Sequence, residues 1–295
     1  MNHYAELKVF NFLQKALKGE AKMTEEVATQ VASDVKAALE KQFNSGPRDE
    51  FKLRMSNIGK PKCQLWFEKN DPEDKTPPSP HFLMNMVLGD LVEAVFKGLL
   101  RAADVEFKDN DNVTLKLPDG QEIHGEYDME MDGKIDDVKS ASDWSYRIKF
   151  EDFSAVQKKD HFGYISQLVG YSKAAGKEVG GWWVVNKGNG EFKYVSASEV
   201  DSEQVIQDIQ ETVNYIEKDE PFERCFEAVP ETYRNKASGN LVLQNVCKWC
   251  SFKDKCWPNL KTLPSRVAKA KVLPEVDYVH IGDCLATYTQ QKIIP

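Results

Sequence analysis

The dipeptide Asp132-Gly133 most constrains how this chain of 295 residues can fold. Asp-Gly between two segments of alternating polarity favours a two-residue type I′ turn, which suits the right-handed twist of antiparallel strands. With the turn centred there, Asp128 faces Asp137 across the hairpin. Lys139 lies on the same face as Asp137, because side chains alternate along a strand with a period of two. The hairpin therefore predicts two carboxylates beside one ammonium group.

Two carboxylates beside a lysine are suited to holding a cation. Directly opposed carboxylates have Cβ atoms about 5 Å apart and destabilise a strand pair, so a chain that keeps them beside a lysine usually holds a cation. This is the arrangement that a metal-dependent phosphodiesterase needs. The alternative is an exposed hairpin with its charges in solvent. The neighbouring acids Glu130 and Asp136 are expected to be solvated or to support the ligands.

The composition, with 41% hydrophobic and 29% charged residues, is that of an ordinary globular protein. No apolar run approaches the roughly 20 residues of a membrane span, and the first residues lack the features of a signal peptide. We therefore expect a cytoplasmic protein without a membrane partner, whose six cysteines serve metal or redox chemistry rather than disulfides. The net charge of −8 argues against nucleic-acid binding driven by overall charge, but not against a nuclease with local basic patches.

The periodicity of apolar residues predicts a mixed α/β core. Helical signals at 4–43, 81–105, 159–174 and 203–218 are interspersed with strand signals at 113–117, 121–130, 135–139, 179–185 and 192–195. The first helical segment carries an apolar stripe that is expected to face the core, formed by Leu7, Phe10, Leu13 and Leu17.

The hairpin belongs to a wider pattern of residues. A helix before it carries Gly89 and, four residues later, Glu93, and a helix after it carries Gln167 and Tyr171 on one face. The pattern reads Gly125-x-x-Asp128, Asp137-x-Lys139, Gln167-x-x-x-Tyr171. It resembles the PD-(D/E)xK nuclease superfamily, specifically its RecB-like branch, over roughly Leu88 to Tyr171.

This resemblance implies a restriction-endonuclease-like core and a Mg²⁺- or Mn²⁺-dependent deoxyribonuclease that acts as an exonuclease. The metal ligands that it implies are oxygens of Glu93, Asp128, Asp137 and the Val138 carbonyl. Lys139 would orient the attacking water or stabilise the phosphate in the transition state, and Gln167 and Tyr171 would position the DNA strand or the lysine. Many RecB-like members have a histidine where this chain has Glu93, whereas some viral recombination exonucleases have a glutamate. The alternative for Glu93 is a solvated helix acid.

A second motif lies near the end of the chain, where the cysteines follow the spacing C-x₂-C-x₅-C at Cys247, Cys250 and Cys256. Three thiolates need a fourth ligand for a tetrahedral zinc or an iron–sulfur cluster. The segment around Cys63 resembles the first cysteine motif of iron–sulfur nucleases, namely the CRISPR-associated RecB-like exonucleases and the AddB nuclease domain. The resemblance, extended to roughly Ser56–Pro258, implies a structural [4Fe–4S] cluster held by these four cysteines, with zinc as the alternative.

The two remaining cysteines, Cys225 and Cys284, fit neither pattern and are expected to be free, buried or incidental. With the resemblance, the chain is expected to comprise five segments. They are an N-terminal helical region at 1–55, a first cluster segment with a loop at 56–80, the nuclease core at 81–218, the iron–sulfur segment at 219–262 and a basic tail at 263–295.

The function expected from both motifs is phosphodiester hydrolysis at single-stranded DNA or DNA ends, in recombination, repair or CRISPR-type processing. A helicase, a recombinase or a CRISPR integration complex would be the protein partner. The basic residues that could flank the DNA backbone are Lys52, Arg54, Lys60, Lys62, Lys255, Lys261, Arg266, Lys269 and Lys271. Trp66, Trp249 and Trp257 could stack on unpaired bases or pack around the cluster, and no base-reading motif is recognised. Two alternatives remain, a DNA-end-binding accessory module with a silent or conditional site and a zinc-stabilised interaction protein.

Overall fold

The computed structural model describes residues 3–44, 46, 51–218, 220–233 and 236–282. The chain divides into two compact units. The first unit comprises residues 1–60 and 78–218, and the second unit comprises residues 61–77 and 219–295. Within the described ranges, no helix is long and apolar enough to cross a membrane.

The described helices and strands are given in chain order. The helices are α1 (Tyr4–Leu17), α2 (Glu25–Asn44), α3 (Lys62–Asn70), α4 (Pro80–Ala102), α5 (Phe153–Lys159), α6 (Tyr164–Ala175), α7 (Ser202–Glu217), α8 (Asn245–Lys248) and α9 (Lys253–Cys256). The strands are β1 (Asp111–Lys116), β2 (Glu122–Tyr127), β3 (Met129–Met131), β4 (Lys134–Ala141), β5 (Glu178–Asn186), β6 (Phe192–Ser196), β7 (Val229–Tyr233), β8 (Lys236–Val242), β9 (Lys261–Pro264) and β10 (Glu275–His280). A 3₁₀ turn spans Pro72–Asp74, and a π-helical turn spans Ser145–Lys149.

A four-stranded mixed sheet forms the centre of the first unit, in the order β3-β4-β5-β6. The β4–β5 pair is parallel, and the two outer pairs are antiparallel. Ile135 packs in a cluster with Leu168 of α6 and Ile209 of α7, whereas Val138 packs in another with Phe96 of α4. Residues of opposite parity on β4 thus face different helical layers, as the period of a strand requires. The predicted mixed α/β class is confirmed.

The hairpin of β3 and β4 has the predicted register over its three paired positions, and the predicted Asp128–Asp137 pair lies just beyond them, because Asp128 is in a bend. Met131 pairs with Lys134, and Glu130 pairs with Ile135. Asp132 and Gly133 have φ angles of 53° and 78°, the positive values that a type I′ turn demands of both central residues. The turn therefore fixes which residues of β4 share a face.

Two predicted segments are interrupted in the structure. The strand signal at 121–130 splits into β2 and β3, with Asp128 at a bend between them. The helical signal at 159–174 splits into the end of α5 and α6, because the chain turns at Gly163. There φ is 78°, and a Cβ would collide with the backbone of Gly59.

Of the four residues in the predicted apolar stripe on α1, only Leu13 packs against the core. Leu7, Phe10 and Leu17 are exposed, whereas Ala5 and Val9 are buried. The helix is rotated toward β6, where Glu6 accepts a hydrogen bond from the Tyr194 amide at 3.0 Å. The periodicity of apolar residues does not predict a buried polar contact of this kind.

The second unit contains a sheet that the sequence analysis did not foresee, with the strand order β7-β8-β10-β9. Its apolar cluster is small and is centred on Leu243, Cys247 and Trp257. The predicted basic tail begins at residue 263, yet its described part, 263–282, contains the end of β9 and all of β10. Cys284 and the rest of that segment lie outside the described residues.

Candidate functional sites

Strand β4 carries the centre of the first candidate site. Asp137 and Lys139 lie on one face, and Val138 between them points into the core on the other face. Asp128 occupies the bend that precedes β3, and its Oδ2 accepts a hydrogen bond from the Val138 amide at 2.8 Å. The hairpin thus brings Asp128 to the part of β4 that bears Asp137 and Lys139.

The buried Asp137 and the half-buried Lys139 form an ion pair. Lys139 Nζ lies 2.7 Å from Oδ1 and 2.6 Å from Oδ2 of Asp137, whose side chain is 3% exposed. Within the described ranges, Oδ2 has no hydrogen bond of good geometry. Burial raises the pKa of Asp137; the ammonium of Lys139 opposes the shift, and the charges of Asp128 and Glu93 add to it. Burial lowers the pKa of Lys139, but Asp137 and Asp128 outweigh it, so the ammonium stays charged.

Glu93 on α4 is the third acid near this pair. Its Oε1 lies 2.6 Å from Nζ of Lys97, one helical turn further on. Burial raises the pKa of Glu93; the charge of Asp128 adds to the shift, and Lys97 opposes it. Glu93 is therefore no isolated solvated acid, since three carboxylates act on one another in this part of the first unit.

Gln167 and Tyr171 meet on α6, as their spacing predicts. Gln167 Nε2 lies 3.3 Å from the Tyr171 hydroxyl, and the tyrosine is buried. Burial raises the pKa of Tyr171 to about 12, opposed by the bond from Gln167, with Asp137 among the smaller causes. Gly125 makes room for this ring, because a Cβ there would lie 2.7 Å from Tyr171 Cε1.

The acids fit a divalent cation by chemistry rather than by preformed geometry. Hard carboxylate oxygens suit Mg²⁺ and Mn²⁺, and a cation would relieve the mutual repulsion that Glu93, Asp128 and Asp137 exert. Their ligand oxygens do not all lie within 4.8 Å of one another in the described structure. A shared ion therefore requires at least one side chain to rotate. Each acid also has a present partner that the ion would have to share or replace, namely Lys97 for Glu93, the Val138 amide for Asp128 and Lys139 for Asp137.

The three acids that do come within 4.8 Å of one another belong to the second unit, namely Asp71, Glu73 and Asp74. Lys255 lies 2.6 Å from Asp74 and 3.6 Å from Asp71. This exposed group is already compensated by a cation, so it carries no site.

Asp136 is buried rather than solvated. It lies on the face opposite Asp137 and accepts hydrogen bonds from the Gly181 amide at 2.8 Å and from the Tyr194 hydroxyl at 2.9 Å. Glu130 is also buried and is paired with Lys108 at 3.0 Å. Both acids support the sheet that carries the site.

Sequence reasoning missed two residues next to Lys139. The ring of Tyr164 lies 5.1 Å from Lys139 Nζ and 4.0 Å from the Nζ of Lys149, a buried second lysine. Neither residue belongs to a recognised motif. Only the position of Tyr164, three residues before Gln167 on the same helix, hinted at its place.

The second candidate site is a cavity within the second unit. The four predicted cluster ligands line it, namely Cys63, Cys247, Cys250 and Cys256. The space between the lining atoms totals about 400 Å³, open solvent included. None of the five described cysteines forms a disulfide. Residues far apart in sequence thus present their thiols to one space.

Cys225 is not incidental, because its Sγ lies 3.1 Å from the Cys63 amide nitrogen and accepts its hydrogen bond. The contact with Cys63 lowers the pKa of Cys225 to about 7, whereas the same contact raises the pKa of Cys63. Burial raises the pKa of Cys247 to about 11. A fifth thiol therefore adjoins the four that line the cavity.

Several residues expected to meet DNA have other contacts. Lys62 pairs with Glu223 at 2.8 Å. Trp66 donates to the Glu220 carbonyl at 2.8 Å, and Arg224 covers the ring of Trp257 at 3.9 Å. These two tryptophans pack within the second unit, and Trp257 also lines the cysteine cavity, whereas Trp249 is exposed.

Comparisons with known proteins are sparse. No family model and no curated protein matches the chain. Among solved structures, the crystal structure of a protein called SSO0001 is similar to this chain with 12% identity and a TM-score of 0.41. The similarity covers 78% of this chain and 96% of that protein.

Proposed function

We propose that the protein is a Mg²⁺- or Mn²⁺-dependent DNA exonuclease with a restriction-endonuclease-like core. The observation that carries the proposal is the meeting of two acids and a lysine from a hairpin, the buried Asp137 and the half-buried Asp128 and Lys139, as a group with mutual electrostatic influence. Buried, mutually perturbed ionisable groups are candidates for function. The nearby Gln167–Tyr171 pair supports the same class.

The residues of this group have distinct tasks in the proposed reaction. Asp128, Asp137, Glu93 and the Val138 carbonyl would hold the metal, which when bound polarises the scissile phosphate and acidifies a water. Lys139 would then release Asp137 and donate to the attacking water or to the phosphate oxygens. Tyr171 and Gln167 would fix the lysine or the strand by hydrogen bonds.

We propose further that Cys63, Cys247, Cys250 and Cys256 hold a structural [4Fe–4S] cluster. A tetrahedral zinc with Zn–S bonds of about 2.3 Å holds its sulfurs only about 3.8 Å apart. No three cysteines in the described structure have sulfurs within 4.8 Å of one another. The wider spacing around a cavity favours a cluster in which each thiolate binds a different iron.

A direct test is incubation of 5′- and 3′-labelled single- and double-stranded DNA with Mn²⁺. We expect progressive shortening by the natural protein and none by Asp137→Ala or Lys139→Ala. Lys134→Ala is a matched control, because Lys134 begins the same strand but pairs with Glu178 on the surface at 3.7 Å, away from Asp137. Equal activity of the Asp137→Ala variant would remove this site from consideration.

The second candidate is an accessory module that binds DNA ends with a silent or conditional site. The observation that favours it is the ammonium of Lys139 on both oxygens of Asp137, with the three acids not gathered within 4.8 Å in the described structure. Such a protein would act with a helicase, a recombinase or a CRISPR integration complex. It would retard labelled DNA in a gel yet leave it full-length with either metal.

A further inference from the structure

Three aromatic rings form a stack that runs from the core of the first unit to its surface, beside Lys139. The ring centroids of Phe150 and Tyr164 are 5.9 Å apart and those of Tyr164 and Phe162 are 5.8 Å apart, with interplanar angles of 18° and 19°. These are offset stacked geometries. Phe150 is buried, whereas Phe162 at the outer end is 58% exposed. The stack therefore ends in an aromatic ring that is open to solvent.

A buried ammonium lies along this stack. Lys149 Nζ is 4.0 Å from the ring centroid of Tyr164 and 4.9 Å from that of Phe162. Lys139 Nζ is 5.1 Å from the same Tyr164 ring. Tyr164 thus contacts two cations, one of which is the lysine of the proposed catalytic group. Aromatic rings attract cations, but they do not neutralise them.

Lys149 lacks a compensating anion. It is 5% exposed, and it makes no hydrogen bond or ion pair with any residue in the part of the chain that the structure describes. The acid that acts on it is Asp160, whose oxygens already accept hydrogen bonds from the Gly163, Tyr164 and Ile165 amides. Burial lowers the pKa of Lys149, and the like charge of Lys139 lowers it further. The nearby His161 offers no negative charge. Because this ammonium has no ion pair among the described residues, an incoming phosphate oxygen would pair with it.

The backbone takes uncommon conformations next to Lys149 and between the two outer rings. Lys149 ends the π-helical turn, which the bond from the Phe150 amide to the Ser145 carbonyl closes at 2.9 Å. Single π turns are rare and often lie at functional sites. Between Phe162 and Tyr164, Gly163 adopts a left-handed conformation with φ of 78°. These turns hold the lysine and the two rings in place.

We propose that Lys149 and Phe162 form a nucleotide-binding subsite for a single strand of DNA, which rests on the proposed nuclease function. The ammonium pairs with a phosphate next to the one held near Lys139, and the exposed ring stacks on the attached base. An unpaired base offers its face to a protein ring, whereas the bases inside a duplex are covered by their neighbours. The subsite therefore makes the protein prefer single strands or frayed ends.

The test measures binding without cleavage, by fluorescence anisotropy of a labelled oligothymidylate and of a labelled blunt duplex in EDTA. Phe162→Ala should weaken oligothymidylate binding about tenfold, as expected for the loss of one stacked base, and leave duplex binding unchanged. Phe162→Trp should bind at least as well as the natural protein. Phe43→Ala is the matched control, since Phe43 on α2 has a similar exposure of 60%.

The charge is tested in the same assay at several salt concentrations. Lys149→Gln should reduce the slope of log affinity against log salt by about 0.7, the value for one phosphate contact on a single strand. Lys149→Arg should keep the slope. Lys116→Gln is the control for charge removal at an exposed position, where Lys116 pairs with Glu122 at 3.5 Å.

The outcomes distinguish a failure of the subsite proposal from a failure of the proposed nuclease function. If Phe162→Ala and Lys149→Gln bind oligothymidylate like the natural protein, while Asp137-dependent cleavage is present, the subsite is refuted and the nuclease stands. Equal weakening for single strands and duplex would also refute it. If the natural protein neither binds nor shortens DNA, both proposals fall.

Discussion

The carboxylate of Asp128 accepts a hydrogen bond from the backbone amide of Val138 at 2.8 Å, which ties the bend before β3 to the middle of β4. Val138 lies between Asp137 and Lys139, so this bond holds the first acid against the segment that bears the other two charges. This hydrogen bond therefore helps to fix the position of the Asp128 carboxylate. Its charge and its hydrogen bond can be removed separately.

Asp128→Asn and Asp128→Ala should both reduce Mn²⁺-dependent cleavage on the order of 100-fold or more, because each removes a charged metal ligand. Only the alanine variant should also lose about 1 kcal/mol of stability, since the asparagine oxygen can still accept the bond from Val138. Cleavage assays and urea unfolding of the two variants check this. An asparagine variant with full activity would show that Asp128 has only a structural role.

Much of this site follows from local rules. The turn at Asp132-Gly133 fixes the register of the hairpin, strand alternation puts Asp137 and Lys139 together, and helical spacing joins Gln167 to Tyr171. Each of these relationships spans only a few residues, so the sequence contains it directly.

The contacts that were missed depend on packing between distant segments. Lys149 reaches Tyr164 only because a π-helical turn and the turn at Gly163 bring their two segments together. Cys225 meets Cys63 across 162 positions. The sheet of the second unit was missed for the same reason, because β10 pairs with β8 across the intervening cysteine segment. The periodicity of residues along the sequence does not predict pairings between such distant segments.

Asp136 should make stability depend on pH. Burial raises its pKa from 3.8 to about 7, although the bonds from Tyr194 and Gly181 oppose the shift. The folded protein then keeps a proton that the unfolded chain loses, so stability from this group is full below pH 3.8 and is lost as the pH rises toward 7. The slope is at most about 1.4 kcal/mol per pH unit.

Asp136→Asn cannot titrate but keeps an oxygen acceptor for both hydrogen bonds. The variant's free energy of unfolding, relative to that of the natural protein, should therefore increase between pH 4 and 7 and then level off. Urea unfolding at several pH values in metal-free buffer measures this difference. A difference that stays constant over the range would mean that Asp136 is ionised in the folded protein throughout.

Glu93 has two separable tasks, because it is a proposed metal ligand and also the partner of Lys97 at 2.6 Å. Glu93→Gln should weaken Mn²⁺ activation about 10- to 100-fold, and it should also destabilise the fold by leaving the buried Lys97 without its counter-charge. Adding Lys97→Met should restore stability without restoring activity. Thermal unfolding and Mn²⁺ titration of cleavage would distinguish these effects, and recovery of activity in the double variant would show that Glu93 is not a ligand.

The adjacent thiols of Cys63 and Cys225 allow the ligands of the proposed cluster to be identified one by one. Cys63 lines the cavity together with Cys247, Cys250 and Cys256, whereas Cys225 lies against Cys63. Cys63→Ser should therefore lose iron, acid-labile sulfide and the broad absorbance near about 400 nm that thiolate-bound iron–sulfur clusters give. Cys225→Ser should retain all three, because the four thiols that line the cavity remain.

Iron and sulfide analysis of anaerobically purified variants provides the measurement, with zinc determined in the same samples. Because ligand binding contributes to folding, Cys63→Ser should also have a lower unfolding temperature than Cys225→Ser. The reverse order would make Cys225 the fourth ligand and Cys63 its neighbour. One zinc and no iron in the natural protein would replace the cluster with a zinc site, and the sulfurs would then have to close to about 3.8 Å from their wider spacing around the cavity.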